Sequence, residues 1–226
     1  SSISRYLQTN NFNVELIKNI SNEITQRKIK INDEINNNIL TESQKKIFVS
    51  WDKILSIQKN IKTQYSKSKT KFTEYLIYSL YTLQPPRRLT DYNMIKIIED
   101  VKNIEDVSIN YYVINQNIFV FNIHKNSNKN GIHIIQHVNV CNKLKTLIIE
   151  FMTLYNKEYL LQLSEIGLRK RITNIFNKYL KLNIGIDILR HSYITHFLTS
   201  NKKPTINQRK KIAYDMGHSI SIQEEY

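Results

Sequence analysis

Between residues 108 and 138 the spacing of apolar residues changes, and that change limits the folds open to this chain. Three stretches, "SINYYVI", "NIFVFNIH" and "GIHIIQHV", are rich in β-branched and aromatic residues. Turn-forming residues separate them, at Asn115–Asn117 and in "KNSNKNG" over 125–131. Runs of this composition, bounded by such turns, read as paired strands. Elsewhere the apolar residues recur at intervals of three and four, as on the buried face of a helix. The pattern predicts a mainly α (α+β) domain with one small three-stranded antiparallel sheet on its side.

The helical part can be followed along the chain. "TESQ" at 41–44 reads as a capping box, with Thr41 capping and Gln44 reaching back. It is expected to open a helix with Ile47, Trp51, Ile54 and Leu55 on one face. "SKSKTK" (66–71) is a basic turn. A second helix runs through Phe72, Leu76 and Leu80 and stops at Pro85-Pro86, because proline supplies no amide donor. A polar helix is expected from Arg88. Helices are expected again over 141–156, 166–182, 188–200 and 205–215, with a short piece after Gly217. The first forty residues are polar and Asn-rich, with weak helical periodicity. They are expected to form an N-terminal helical segment or the stub of a DNA-binding module (1–40), with the principal domain over 41–226.

Charge narrows the partner. Lys and Arg total 33 against 19 Asp and Glu, a formal net charge of +14. Such an excess favours a polyanion. Part of the lysine excess is compositional, since the chain is also rich in Asn and Ile and has only four glycines. Cys141 is the single cysteine, so an intrachain disulfide and a cysteine zinc site are both excluded. A reducing intracellular compartment is the expected setting. No apolar run approaches the roughly 20 residues of a membrane span, and "SSISRYLQTNNF" holds no secretion-type apolar core. His191 and His196 are five apart and do not share a helical face well. His133 and His137 could share a sheet face but have no third ligand. No metal site and no cofactor are expected.

Four segments carry candidate chemistry. In "LQPPRRLTDY", Arg88 is expected in the first turn of a helix, with Asp91 one turn later to hold its guanidinium. An arginine so held can fork onto a phosphate, and Arg87 is close enough to compete for the role. In "GIDILRHSYITHFL", Asp187 is a good N-cap. Arg190 then falls in the first turn of an otherwise apolar helix, whose buried face is Ile194, Phe197 and Leu198. Lys125 begins the loop "KNSNKNG", where a mobile lysine can reach a nucleic acid, and Lys129 lies in the same loop. In "DMGHSISIQEEY", a Gly-His pair stands eight residues before Tyr226.

"LRHSYITHFL" followed by "MGHSISIQEEY" resembles the C-terminal boxes of tyrosine recombinases, the phage-integrase type of site-specific DNA recombinase. "RRLTDY" resembles their first arginine box, and a hairpin with a loop lysine lies between the boxes in the same order. The resemblance covers about residues 41–226, the catalytic domain of that family. Its Asn/Lys-rich style and "PPRR" context are most similar to integrases of large DNA viruses and their satellite viruses.

The resemblance implies the recombinase catalytic fold and a set of roles. Arg88 and Arg190 would clamp the scissile phosphate, His218 would add a donor, Lys125 would be the general acid and Tyr226 the nucleophile. Arg87, Lys129, Lys67 and Lys69 would contact DNA. The partner would be double-stranded DNA, bound by a monomer that assembles a homo-tetramer on it, with no membrane and no small-molecule cofactor. The setting would be a host nucleus or viral factory, or a virion. Where the family's second box begins with His or Lys, this chain has Asp187, which is either a helix cap or a base toward Tyr226. Two other readings share these residues: a type IB topoisomerase-like enzyme that relaxes supercoils, and a DNA-binding relative impaired in catalysis.

Overall fold

A computed structural model describes residues 14–36, 48–125, 127–129, 131–201 and 204–217. Thr41, Gln44 and Ile47, the piece expected after Gly217, and His218 and Tyr226 lie outside the described residues.

The described chain is mixed helix and sheet. Helix α1 spans Val14–Asn36. Two short helices, α2 (Trp51–Ser56) and α3 (Gln58–Lys62), lead through a 3₁₀ turn at Tyr65–Lys67 to α4 (Lys69–Thr82). Helix α5 is a single turn, Leu89–Tyr92. The strands are β1 (Met94–Ile98), β2 (Asn110–Val113), β3 (Ile118–Phe121), β4 (Asn128–Lys129), β5 (Ile132–His133) and β6 (Gln136–Asn139). Then come α6 (Asn142–Tyr155), β7 (Tyr159–Gln162), α7 (Glu165–Leu180), α8 (Ile186–Ser200) and α9 (Ile206–Asp215).

The sheet departs from the three-stranded antiparallel expectation. It has five strands in the order β6-β3-β2-β1-β7, and β1 runs parallel to β2. The β2–β3–β6 part is antiparallel, as the periodicity predicts. Strand β1 replaces most of the polar helix expected from Arg88, because α5 ends after one turn. Strand β7 pairs antiparallel with β1 and lies in a stretch with no clear period. A two-stranded ribbon, β4–β5, projects beside the main sheet. It places His133 and His137 in different sheets, so the shared face that the spacing allows them is not formed.

Strand β2 is buried on both faces. Tyr112 joins Phe119, Phe121 and Val138 in the principal core, under α4, α6 and α7. Tyr111 and Val113 face the other way and pack with Val120, Val101 and Ile104. The 99–109 connection, which the parallel β1–β2 pairing requires, supplies that second layer. Local caps mark the helix starts: Ser50, Ser68, Ser164 and Thr205 each accept an amide hydrogen bond from the first turn. Helix α2 begins at Trp51, whose ring meets Tyr193 of α8 edge-on at 5.1 Å. The Ser192 hydroxyl donates to the Val49 carbonyl at 2.6 Å, tying α8 to the entry of α2. No helix among the described residues is long and apolar enough to cross a membrane.

Candidate functional site

The turn Pro85-Pro86-Arg87-Arg88 meets the end of α9 and the first turns of α8. A helix end leaves its last carbonyls without intrahelical partners, and they carry the negative pole of the helix. Two arginines from far along the chain take these carbonyls. Arg87 Nη1 donates to the carbonyls of Tyr214 at 3.2 Å and Asp215 at 2.9 Å. Arg190 Nη1 donates to the Met216 carbonyl at 3.1 Å and to the Pro86 carbonyl at 3.2 Å. Arg190 thereby joins α8, the diproline turn and the end of α9 at one point. A third tie runs from the β6 edge, where the His137 amide donates to the Tyr214 hydroxyl at 3.0 Å.

Arg87 is wholly enclosed, at 0% exposure. Its Nε donates to Asp91 Oδ2 at 2.8 Å and its Nη2 to Gln136 Oε1 at 2.7 Å. Its guanidinium carbon stands 3.9 Å from the centroid of the Phe121 ring. The carboxylate expected to hold Arg88 therefore holds Arg87 instead. Arg88 occupies the N-cap position of α5 and is part-buried. Its Nε is buried and makes no hydrogen bond among the described residues. The two adjacent arginines have opposite environments: one makes four hydrogen bonds to protein acceptors, and the other has an enclosed donor with none among the described residues.

Asp187 does not cap α8. The N-cap is Gly185, and Asp187 sits exposed within the first turn. The apolar context expected around Arg190 is present but shifted, since Ile188, Leu189 and Ile194 are buried and Phe197 and Leu198 only partly so. Lys125 is exposed in the turn that follows β3, four residues beyond the strand's end. Lys129 lies in β4. Lys67, the last residue of the 3₁₀ turn, and Lys69, the first residue of α4, are exposed. Lys69 stands beside Lys157, whose ammonium lowers its pKa, and both line a groove of about 460 Å³ between α4 and β7.

Several residues at the site escape sequence reasoning. Gln136 reads only as a polar strand residue, yet it is buried and accepts from Arg87. His124 is buried beside the Arg87–Asp91 pair, with Nε2 3.0 Å from the Ile134 carbonyl. Burial lowers its pKa, with Arg87 adding to the effect. His191 is lowered chiefly by burial as well, with Asp187 opposing and Arg190 adding. Gly217 has φ +65°, and a Cβ there would meet Arg87 Nη2 at 2.8 Å. The Gly-His pair stands out in the sequence, but nothing local to it reveals the Arg87 guanidinium that excludes a side chain from the glycine.

The tyrosines near this point are structural. Burial raises Tyr81 and Tyr92 well above the ordinary phenol range, and pushes Tyr193 up to about 12. A phenol so disfavoured as a phenolate is a poor nucleophile. Among the described residues, no three His, Cys, Asp or Glu side chains gather as metal ligands.

No protein-family model matches the chain, and neither a curated protein nor a solved structure matches it.

Proposed function

We propose that this chain is a site-specific DNA recombinase of the tyrosine recombinase type, an integrase that cuts and rejoins double-stranded DNA through a 3′-phosphotyrosine. The observation that carries this reading is the enclosed Nε of Arg88, beside the point where Arg190 joins the diproline turn to the end of α9. A buried donor of a permanently charged group calls for an acceptor. A phosphate diester suits a guanidinium fork, and the formal charge of +14 suits the polymer that carries it.

In this reaction the Tyr226 oxygen attacks the scissile phosphorus, and the bond from phosphorus to the 5′ oxygen breaks. The phenol proton passes to solvent or a nearby base, and Lys125 protonates the departing 5′ oxygen. Arg88 and Arg190 stabilise the charge that builds on the non-bridging oxygens, and His218 adds a donor. The ester keeps the energy of the broken bond, so rejoining needs no ATP. The integrase role implies a tetramer on DNA and work wherever viral or mobile-element DNA meets host DNA.

The test uses a nicked suicide duplex carrying the chain's own target, with the adduct mapped by mass spectrometry. Wild type is expected to form one covalent adduct, on Tyr226, and Tyr226→Phe to bind without forming it. An adduct on another residue would overturn the assignment of the nucleophile. On a supercoiled plasmid carrying two copies of the same target, relaxed circles without recombinant joints would make the enzyme a topoisomerase.

A further inference from the structure

We infer that Arg87, with Asp91 and Gln136, is a positioning device that sets where the chain leaves α9, and that Arg87 takes no part in holding DNA. For its chemical readout the inference rests on the recombinase reading above; its structural readout does not.

A guanidinium has five N–H donors in a rigid plane. Arg87 commits four of them to protein acceptors on three different elements. Nε goes to Asp91 of α5, Nη2 to Gln136 of β6, and both Nη1 donors to the last carbonyls of α9. The ring of Phe121 in β3 covers one face of the plane. No part of the side chain reaches solvent, so a DNA phosphate has no approach to it. A buried ion pair is a poor way to gain stability over an apolar filling, but its directional bonds fix a geometry that apolar contacts leave loose.

That geometry is passed to the backbone at Gly217. Arg87 Nη2 and Cζ lie 2.8 and 3.2 Å from where a Cβ would stand there, and Asp91 Oδ2 lies at 3.3 Å. The residue also adopts φ +65°, a conformation that side chains resist. The chain therefore turns left-handed directly against the guanidinium plane, immediately after the carbonyls that Arg87 and Arg190 hold. Lysine cannot replace Arg87, because a single ammonium cannot span Asp91, Gln136 and the helix end together.

The experiment compares the full chain with Arg87→Lys and Gly217→Ala, at a temperature where circular dichroism shows each fully folded. Three quantities are read: amide hydrogen exchange, duplex affinity with its salt slope, and single-turnover cleavage of the suicide duplex. Both variants are expected to raise exchange at Met216 and Gly217 by about tenfold or more, with α4 and α6 unchanged. Affinity and salt slope are expected to stay as in wild type, while cleavage falls by about 100-fold, the usual cost of an ångström's misplacement. If Arg87→Lys cannot be folded, Gly217→Ala decides alone, since it keeps Arg87, Asp91 and Gln136 in the chain and disturbs only their contact with the backbone at 217. Two results would overturn the inference. One is weakened binding with a salt slope shallower by about one phosphate in Arg87→Lys, which would make Arg87 a DNA contact. The other is unaltered exchange at 216–217. A wild type that neither binds nor cuts DNA would defeat the recombinase reading, and the exchange result would still decide the device.

Discussion

Arg87 Nε lies 2.8 Å from Asp91 Oδ2, with the two side chains at 0% and 1% exposure. Removing one member of such a pair strands the other charge in the interior. Asp91→Ala is therefore expected to destabilise the fold by about 3–5 kcal/mol. The double variant Arg87→Met, Asp91→Ala is expected to recover part of that loss. Urea denaturation of the singles and the double measures it, and strictly additive losses would show that the pair is not coupled.

Arg88 and Arg190 are expected to separate in their effect on stability. Arg88→Ala removes a side chain whose Nε bonds to nothing among the described residues, so its stability should stay within about 1 kcal/mol of wild type. Its cleavage rate should fall about 100- to 1000-fold, as when one donor to a developing anion is lost. Arg190→Ala should lose cleavage and stability together, because it also releases the Pro86 and Met216 carbonyls. Thermal melts beside single-turnover rates check both, and a large melting loss in Arg88→Ala would contradict its assignment.

Asp187 is neither buried nor at the cap position, which belongs to Gly185. Its remaining local role is a negative charge in the first turn of α8, where the helix pole favours it. Asp187→Asn should therefore cost about 0.3–1 kcal/mol and leave cleavage largely intact. A folded variant with no cleavage would instead identify Asp187 as a base toward Tyr226.

Acid should weaken the fold through two histidines. Burial holds His124 and His191 below the ordinary value of 6.5. The unfolded chain takes up protons at that value, whereas the native state resists them. Their contribution is thus undiminished above pH 6.5 and is lost as pH falls below it. The urea midpoint should drop from about pH 7.5 to about 5.5, and the drop should be shallower in His124→Gln, His191→Gln. Parallel curves would show that these rings do not control the acid response.

The helices over 142–155, 165–180 and 206–215 were legible because a repeating apolar face is a local fact, and Ser164 and Thr205 cap the last two. Strands β2, β3 and β6 were legible for a similar reason, through β-branched and aromatic composition and turn residues. The strand "MIKII" was not, since its apolar residues fit a helix as well as a strand. Its pairing with β2 across the 99–109 connection is what makes it extended. The strand "YLLQ" is four residues long, too short to show a period, and becomes a strand by pairing with β1.

The same divide runs through the candidate site. That an arginine near residue 88 should meet Asp91 followed from spacing, because positions three and four residues apart both face one another across a helical turn. Which arginine does so did not follow. Arg87 and Arg88 are chemically identical neighbours, and spacing alone admits either. The choice fell to acceptors from remote segments: Gln136, 49 residues away, and the carbonyls of Tyr214 and Asp215, 127 and 128 residues away. Local sequence sets periodicity and caps, since these depend on the nearest few residues. A buried charge settles where distant acceptors assemble around it, and that assembly exists only once the chain has folded.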